Sequence, residues 1–308
     1  MKHPFIALIT DFRLDDVYVG VMKAVILSVN PDARTLDVTH SIPKHNVAAA
    51  SVALMSCFDY LPEGTIVVAV VDPGVGGGRD IIAASTAGKT CLAPDNGLLA
   101  PLVTGYGADV VVRVDRPDLY VKPVSSTFHG RDVFAPIAAH LSLGLDITKL
   151  GPATTDYVRL DLPEAAIEPG KVTAEVLWVD SFGNIVTNLN GDLARDCLGG
   201  WRGISIYVKA RQEHPESGRG GEGTPTRPGR LVAPAAVLTG VPLVESYEAV
   251  PPGMPLAIRG SSGRLEISLR EANAALRLGV GIGDTITLVD GGSEGRGPGR
   301  HGPAHTGG

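Results

Sequence analysis

The chain has 308 residues, 44% of them apolar and 19% charged, which is ample material for buried cores and excludes an intrinsically disordered chain. At roughly 150 residues per domain the length predicts two domains. With 27 Lys and Arg against 33 Asp and Glu, the net charge is −6. There is no basic excess to neutralise a phosphate backbone, so nucleic acid is not expected as a partner. Cys57, Cys91 and Cys197 form no CxxC pair and are too few for a disulfide framework. The first apolar run meets Asp11 before a signal-peptide core is complete. The longest apolar stretch, Leu231–Val244, is too short to span a bilayer. A cytoplasmic protein without a membrane segment is expected.

In chain order, Phe5–Thr10 reads as a short buried strand, Tyr18–Val29 as a helix, Thr35–Val38 as a strand and Val47–Tyr60 as an alanine-rich helix. Thr65–Val71 is almost wholly β-branched and apolar, as a strand buried on both faces should be. Ile81–Ser85 and Val110–Val114 follow as strands, with helices over Gly97–Tyr106 and Val133–Leu143. Strands alternating with helices predict an N-terminal, mostly parallel α/β/α sandwich over residues 1–162. Asp161–Gly170 is rich in proline and acids and reads as a linker, centred on 163–170. Beyond it, Val172–Val179, Ile204–Val208, Leu256–Ile258, Leu265–Ser268 and Thr285–Val289 are short strand-like runs separated by Gly and Pro. They predict a smaller C-terminal β-barrel domain over 171–290. A Gly-, Pro-, Arg- and Glu-rich insertion at 213–230 reads as a mobile loop, and 291–308 as a disordered tail.

Polar clusters fall at the C-terminal ends of the predicted strands: Thr10-Asp11-Phe12, His40, Asp72-Pro73-Gly74, and Asp95-Asn96-Gly97 before a helix. Ligands of open α/β sheets bind at those ends. The same residue types also make turns and helix caps, with Asp15 and Asp95 as the cap candidates. The glycines of Val71–Arg79 do not form a nucleotide loop, because they lead into a strand rather than a helix. Such a dense run indicates a backbone packed against a ligand or crossing another segment closely. His129, between Phe128 and Gly130 at a helix start, is either a general base or a loop hydrogen-bonding residue. Asp11, Asp15, Asp16, His40, His45, Asp72 and His129 would suit a divalent metal, but no His-x-x-x-His or Glu-x-x-His spacing supports one. In the second half, Phe182 with Asn184 and Asn188 suits either a planar heterocycle or an ordinary turn.

Taken together, the segments resemble one family, the S-adenosylmethionine (SAM) hydroxide adenosyltransferases, relatives of the SAM-dependent fluorinase and chlorinase. The residues that carry the resemblance are Thr10-Asp11-Phe12 with Asp16 and Tyr18-Val19-Gly20, Asp37-Val38-Thr39-His40, Val71-Asp72-Pro73-Gly74-Val75-Gly76 with Arg79, and Ala93-Pro94-Asp95-Asn96-Gly97. Further along come Thr127-Phe128-His129-Gly130-Arg131-Asp132, Asp180-Ser181-Phe182-Gly183-Asn184, and Gly260-Ser261-Ser262-Gly263 with Leu265-Glu266-Ile267.

The resemblance implies hydrolysis of SAM to adenosine and L-methionine by a homotrimer that binds SAM between neighbouring subunits, with no cofactor and no metal. It implies a water-activating triad of Asp72, Arg79 and His129, and a ribose contact from Asp11. Phe182, Asn184, Tyr247 and Ser262 would lie on the adenine side. Asp180 would meet the methionine amino group, and Asp16, Ser261 and Glu266 would complete the substrate contacts. The halogenases carry Tyr-Pro-Ala-Thr where this chain has Asp72-Pro73-Gly74-Val75, and lack the histidine of Phe-His-Gly, so water is the expected nucleophile. A halogenase, a metal-dependent nucleoside hydrolase and a non-catalytic adenosine or SAM binder are the alternatives. The chain departs from the family at Arg13, where glycine is usual, at the 213–230 insertion, and around Arg264 and Arg270.

Overall fold

Strand β1 (Phe5–Thr10) is buried from Ile6 onward, so it has to lie inside a sheet covered on both faces. In the computed structural model, described over residues 4–160, 162–201, 203–209 and 237–291, β1 is followed by α1 (Tyr18–Val29), β2 (Arg34–Thr39), α2 (Val47–Phe58), β3 (Ile66–Val70), β4 (Ile81–Thr86), β5 (Lys89–Pro94), α3 (Ala100–Tyr106) and β6 (Val110–Arg113). A single π-helical turn, Gly130–Phe134, then runs into α4 (Ala135–Ser142). The sheet order is β2-β1-β3-β5-β4-β6. The strands from β2 to β5 pair in parallel, and β4 runs antiparallel to both β5 and β6. Helices α1 and α4 pack together on one face, and α2 packs with α3. The mostly parallel sandwich expected from the sequence is present.

The chain leaves β1 to one side for β2 and returns to the other side for β3. The β1/β3 boundary is therefore a topological switch point, where the carboxyl ends of adjacent strands diverge and leave a crevice. Asp11 follows β1 and Asp72 lies just beyond β3, and Thr10 pairs with Val70 in register.

Three local features differ from expectation. Strand β5 has a mixed Lys-Thr-Cys-Leu-Ala-Pro composition and no readable period, yet it is held on both edges by β3 and β4. Helix α3 begins three residues late because Asn96 folds 95–97 into a turn, donating its side-chain amide to the Val71 carbonyl at 2.8 Å. Neither cap candidate caps a helix. Asp15 pairs with Arg13, and Asp95 accepts the Val158 amide at 2.8 Å.

The chain separates into two units, Met1–Leu162 and Pro163–Gly308. The second contains β7 (Ala166–Glu168), β8 (Lys171–Val179), β9 (Ile185–Asn190), α5 (Gly191–Leu198), β10 (Ile204–Lys209), β11 (Val237–Val241), β12 (Leu243–Val244), β13 (Pro255–Arg259), β14 (Arg264–Leu269), α6 (Ala274–Leu278) and β15 (Thr285–Asp290). The strands follow the order β11-β10-β15-β8-β9-β14-β13-β12, with β7 on β8. Because β11 comes back alongside β13, the sheet curls into an almost closed barrel around Val176, Ile185, Leu265, Ile267 and Leu288. Asn190 and Asn273 cap α5 and α6 through their side chains. The 213–230 insertion and residues 292–308 of the tail lie outside the described residues, as does Asp161 at the start of the span read as a linker.

Candidate active site

Beyond β3 the chain passes through Asp72 into the glycine-rich loop and returns to the sheet at Arg79. At Gly76 the backbone is left-handed (φ +75°), and an added Cβ would lie 2.0 Å from the Ser126 carbonyl oxygen. That glycine is explained by the close crossing of the 125–127 backbone, one of the two readings the sequence allows. The crossing brings the loop carrying Asp72 and Arg79 up to the segment carrying His129.

Arg79 joins the three. Its Nε donates to both Asp72 oxygens, at 3.0 and 2.9 Å, and its Nη2 donates both to Asp72 Oδ2 and to His129 Nδ1, the latter at 2.9 Å. The Asp72 and Arg79 side chains are 5% and 12% exposed, so this forked pair is largely shielded from water. His129 immediately precedes the π-helical turn, a geometry that recurs at functional sites. Burial and the Arg79 cation push the His129 imidazole below its ordinary pKa, against the opposite pull of Asp72 and Asp132. Guanidinium has no acceptor atom, so His129 Nδ1 must present its lone pair. Neutral His129 then carries its proton on Nε2.

Across the switch point, Asp11 Oδ2 accepts the backbone amide of His45 at 2.9 Å, and His45 is itself left-handed at φ 63°. Arg13 has φ 62°, the conformation a glycine at this position would adopt freely, and its side chain pairs with Asp15 on the surface. Asp16 is exposed in the same loop. Beside it, Phe12, Tyr18, Ser125, Thr127, Phe128 and Arg131 line an open pocket of about 350 Å³. Phe128 meets Phe12 and Tyr18 edge-on, and Phe12 and Tyr18 are tilted against each other, with centroids 5.0 to 5.9 Å apart. Asp132 is wholly buried below them. Its carboxyl resists its own burial because Arg131 and the Ser125 amide, at 2.7 Å, hold it below the usual carboxylate range.

In the second unit, Asp180 organises the turn after β8. Its Oδ1 accepts the amides of Phe182 and Asn184, at 2.9 and 2.8 Å, and its Oδ2 accepts the Asn184 side-chain amide at 2.8 Å. Asn184 is thereby fixed, with no further side-chain partner among the described residues, while the Phe182 ring is 77% exposed. Tyr247 donates to the buried Glu266 at 3.0 Å. Burial pushes the Glu266 carboxyl up, the Tyr247 bond pulls it down, and Asp180 pushes it up again. Tyr247 is itself raised to about 12, by burial and then by Glu266. The other Glu266 oxygen lies where a Cβ on Gly260 would fall, 1.6 Å from it, so only glycine leaves room for this carboxylate. Ser262 Oγ is buried without a partner among the described residues, and Ser261 is exposed.

Residues 6–151 match the SAM hydroxide adenosyltransferase N-terminal domain, and residues 174–287 match its C-terminal domain. The chain belongs to the SAM hydroxide adenosyltransferases. Among similar family members, the (R)-S-adenosyl-L-methionine hydrolase of Thermus thermophilus is 35% identical over 289 residues, covering 91% of this chain and 98% of that one. The protein of the same name from Salinispora tropica is 33% identical, over 94% of this chain and 98% of its own. A fluorinase from an Actinoplanes species is more distant, at 25% identity over 93% of this chain and 98% of its own. The crystal structure of an uncharacterized conserved protein from Thermotoga maritima matches this adenosyltransferase with a TM-score of 0.78 and 32% identity, covering 92% of this chain and 99% of that chain.

The residues expected at a site from the sequence form three hydrogen-bonded groups: Asp72–Arg79–His129 in the first unit, and Asp180–Phe182–Asn184 and Tyr247–Glu266 in the second. Asp11 lies across the crevice from the first group. The candidate metal ligands do not converge. Among the described residues, no three His, Cys, Asp or Glu side chains form a metal-binding cluster. Two features of the site went unread in the sequence: the His45 backbone contact and the Arg131–Asp132 anchor. A backbone contact leaves no residue-type signal, and an Arg-Asp dipeptide is as common on surfaces.

Proposed function

We propose that this chain hydrolyses S-adenosyl-L-methionine to adenosine and L-methionine by attack of hydroxide at C5′ of the ribose. The arrangement of Asp72, Arg79 and His129 carries the reading. Water contributes the new C5′–O bond, the C5′–S bond breaks with its electrons passing to sulfur, methionine leaves as a neutral thioether, and one proton goes to solvent. Hydroxide and sulfonium cancel charge as they react, so a shielded pocket favours the step.

Within this reading, His129 is a donor and not the base. Its Nδ1 is occupied by Arg79, and its Nε2–H points a proton at the nucleophile, stabilising hydroxide against water. Both Asp72 oxygens accept from Arg79, so Asp72 acts by holding the guanidinium. Arg79 supplies positive charge beside the developing nucleophile, and Asp11 takes the ribose hydroxyls. Asn184, through its carbonyl oxygen and second N–H, reads the adenine edge, against which Phe182 stacks. Tyr247, Ser262 and Glu266 join that side, with Ser261 and Asp16 as outer contacts and Asp180 beside the methionine amino group. These two sets of residues belong to different units, and the proposed assembly is a homotrimer in which neighbouring subunits complete each site. The reaction as drawn requires neither a metal nor a cofactor.

Chromatography of chelator-treated protein incubated with SAM, with and without fluoride or chloride, tests the reading. Adenosine and methionine forming in the absence of halide support it. A 5′-halogenated adenosine would move the chain to the halogenases, and loss of turnover on chelation would favour a metal-dependent hydrolase.

A further inference from the structure

We propose that His40 is a positioning residue for the nucleoside site, acting through Thr10 on the loop that carries Asp11; this rests on the assignment of Asp11 to the ribose. The strand order places β2 beside β1, so the chain emerging from β2 runs next to the Asp11 loop. His40, 3% exposed, lies between two partners. Its Nε2 is 3.0 Å from Asp37 Oδ1, and its Nδ1 is 2.8 Å from Thr10 Oγ1. A carboxylate only accepts, so the proton on Nε2 belongs to His40, and the Thr10 hydroxyl closes the line at Nδ1.

The far end is anchored by Lys23 of α1, whose Nζ donates to Asp37 Oδ2 at 2.6 Å. Burial raises the Asp37 carboxyl, but the hydrogen bonds from Lys23 and His40 outweigh it and hold the group below its ordinary value. The near end grips the loop twice. Thr10 Oγ1 accepts the Phe12 amide at 3.2 Å, and the His40 carbonyl accepts the Arg13 amide at 2.7 Å. Asp11 is therefore flanked on both sides by backbone that His40 fixes.

The order Thr–His–Asp resembles a nucleophile relay, but the chemistry differs. Thr10 is wholly buried, and its oxygen is already engaged by the Phe12 amide, so it cannot reach a substrate. What the relay can do is set the direction of the carboxylate next to it. Such a group acts on binding of the ribose hydroxyls and on nothing else in the substrate.

The test is calorimetric titration with adenosine and with 2′,3′-dideoxyadenosine, which lacks the hydroxyls that Asp11 would hold. Wild-type protein is expected to prefer adenosine. In His40→Ala and in the near-isosteric Thr10→Val, adenosine binding weakens by about tenfold while dideoxyadenosine binding changes little, so the preference collapses. His40→Asn, whose amide reaches the Nδ1 position, retains the preference. His40→Gln, whose amide reaches the Nε2 position and Asp37, loses it. Thermal melts of the four variants identify any that fail to fold, and Thr10→Val carries the test if the His40 variants do. Equal weakening for both nucleosides, or an undiminished preference in folded variants, would overturn the positioning role alone. Wild-type protein that binds both nucleosides equally would overturn the ribose assignment of Asp11 and the proposal with it.

Discussion

Arg79 Nη2 lies 2.9 Å from His129 Nδ1 while the same guanidinium forks onto Asp72. One planar cation thereby fixes the tautomer of the imidazole and neutralises the carboxylate beside it. Lysine offers a point charge in place of a fork and cannot satisfy both partners. Arg79→Lys is expected to lower kcat on SAM by about a hundredfold, as loss of a transition-state donor does, with KM changed by less than about threefold. Steady-state kinetics check this, and an unchanged kcat would remove Arg79 from the chemistry.

The depressed His129 pKa sets the sign of the pH dependence. Neutral His129 accepts from Arg79, whereas protonation puts an N–H against an N–H and breaks the contact. The His129-dependent loss of activity therefore comes as pH drops through the folded-state pKa, which burial and Arg79 hold below the ordinary 6.5. Stability follows the same direction. The unfolded chain takes up this proton at a higher pH than the folded one, so the stabilising contribution is full above the unfolded value and is lost as pH falls through the folded one. A kcat/KM profile in which an acid limb, absent from His129→Asn, lies below the free-imidazole value is expected.

Gly76→Ala should be costly, although its effect is remote from substrate. A methyl group there meets the Ser126 carbonyl at 2.0 Å in a left-handed backbone, so either the 74–78 loop or the 125–127 segment has to move. A loss of about 2 kcal/mol or more in urea unfolding is expected, together with reduced turnover as His129 separates from Arg79. Wild-type stability would contradict the crossing.

Tyr247→Phe removes the hydrogen bond that pulls the buried Glu266 carboxyl down, leaving burial and Asp180 to push it up. The pH at which nucleoside affinity changes through Glu266 should shift upward, and adenosine titrations across pH read that shift. Asn184→Ala, by contrast, removes the proposed adenine-edge contact and should raise KM by about tenfold with little effect on kcat.

The sequence made legible what depends on period and strand ends. The β-branched Thr65–Val71 run is a fully buried strand as read, Ile66–Val70, and Asp11, His40 and Asp72 do stand at the carboxyl ends of adjacent strands. It did not disclose β5, whose identity comes from neighbours on both edges and not from its own pattern. The sequence also marked His129 as a candidate while leaving open whether it is a base or a loop hydrogen-bonding residue. The donor role proposed for it rests on which nitrogen faces Arg79, a fact fixed by a crossing of two loops 50 residues apart. Asp180 shows the same limit. Its spacing from Phe182 and Asn184 marks a turn, but the three acceptor positions its carboxylate commits to that turn depend on the folded backbone.

The most direct test of the account is turnover of SAM in oxygen-18 water, with the adenosine product examined by mass spectrometry. Attack of solvent-derived hydroxide at C5′ predicts adenosine carrying one heavy oxygen at its 5′-hydroxyl, beside unlabelled methionine. Adenosine without the label, label in the methionine fragment, or the absence of adenosine would contradict it.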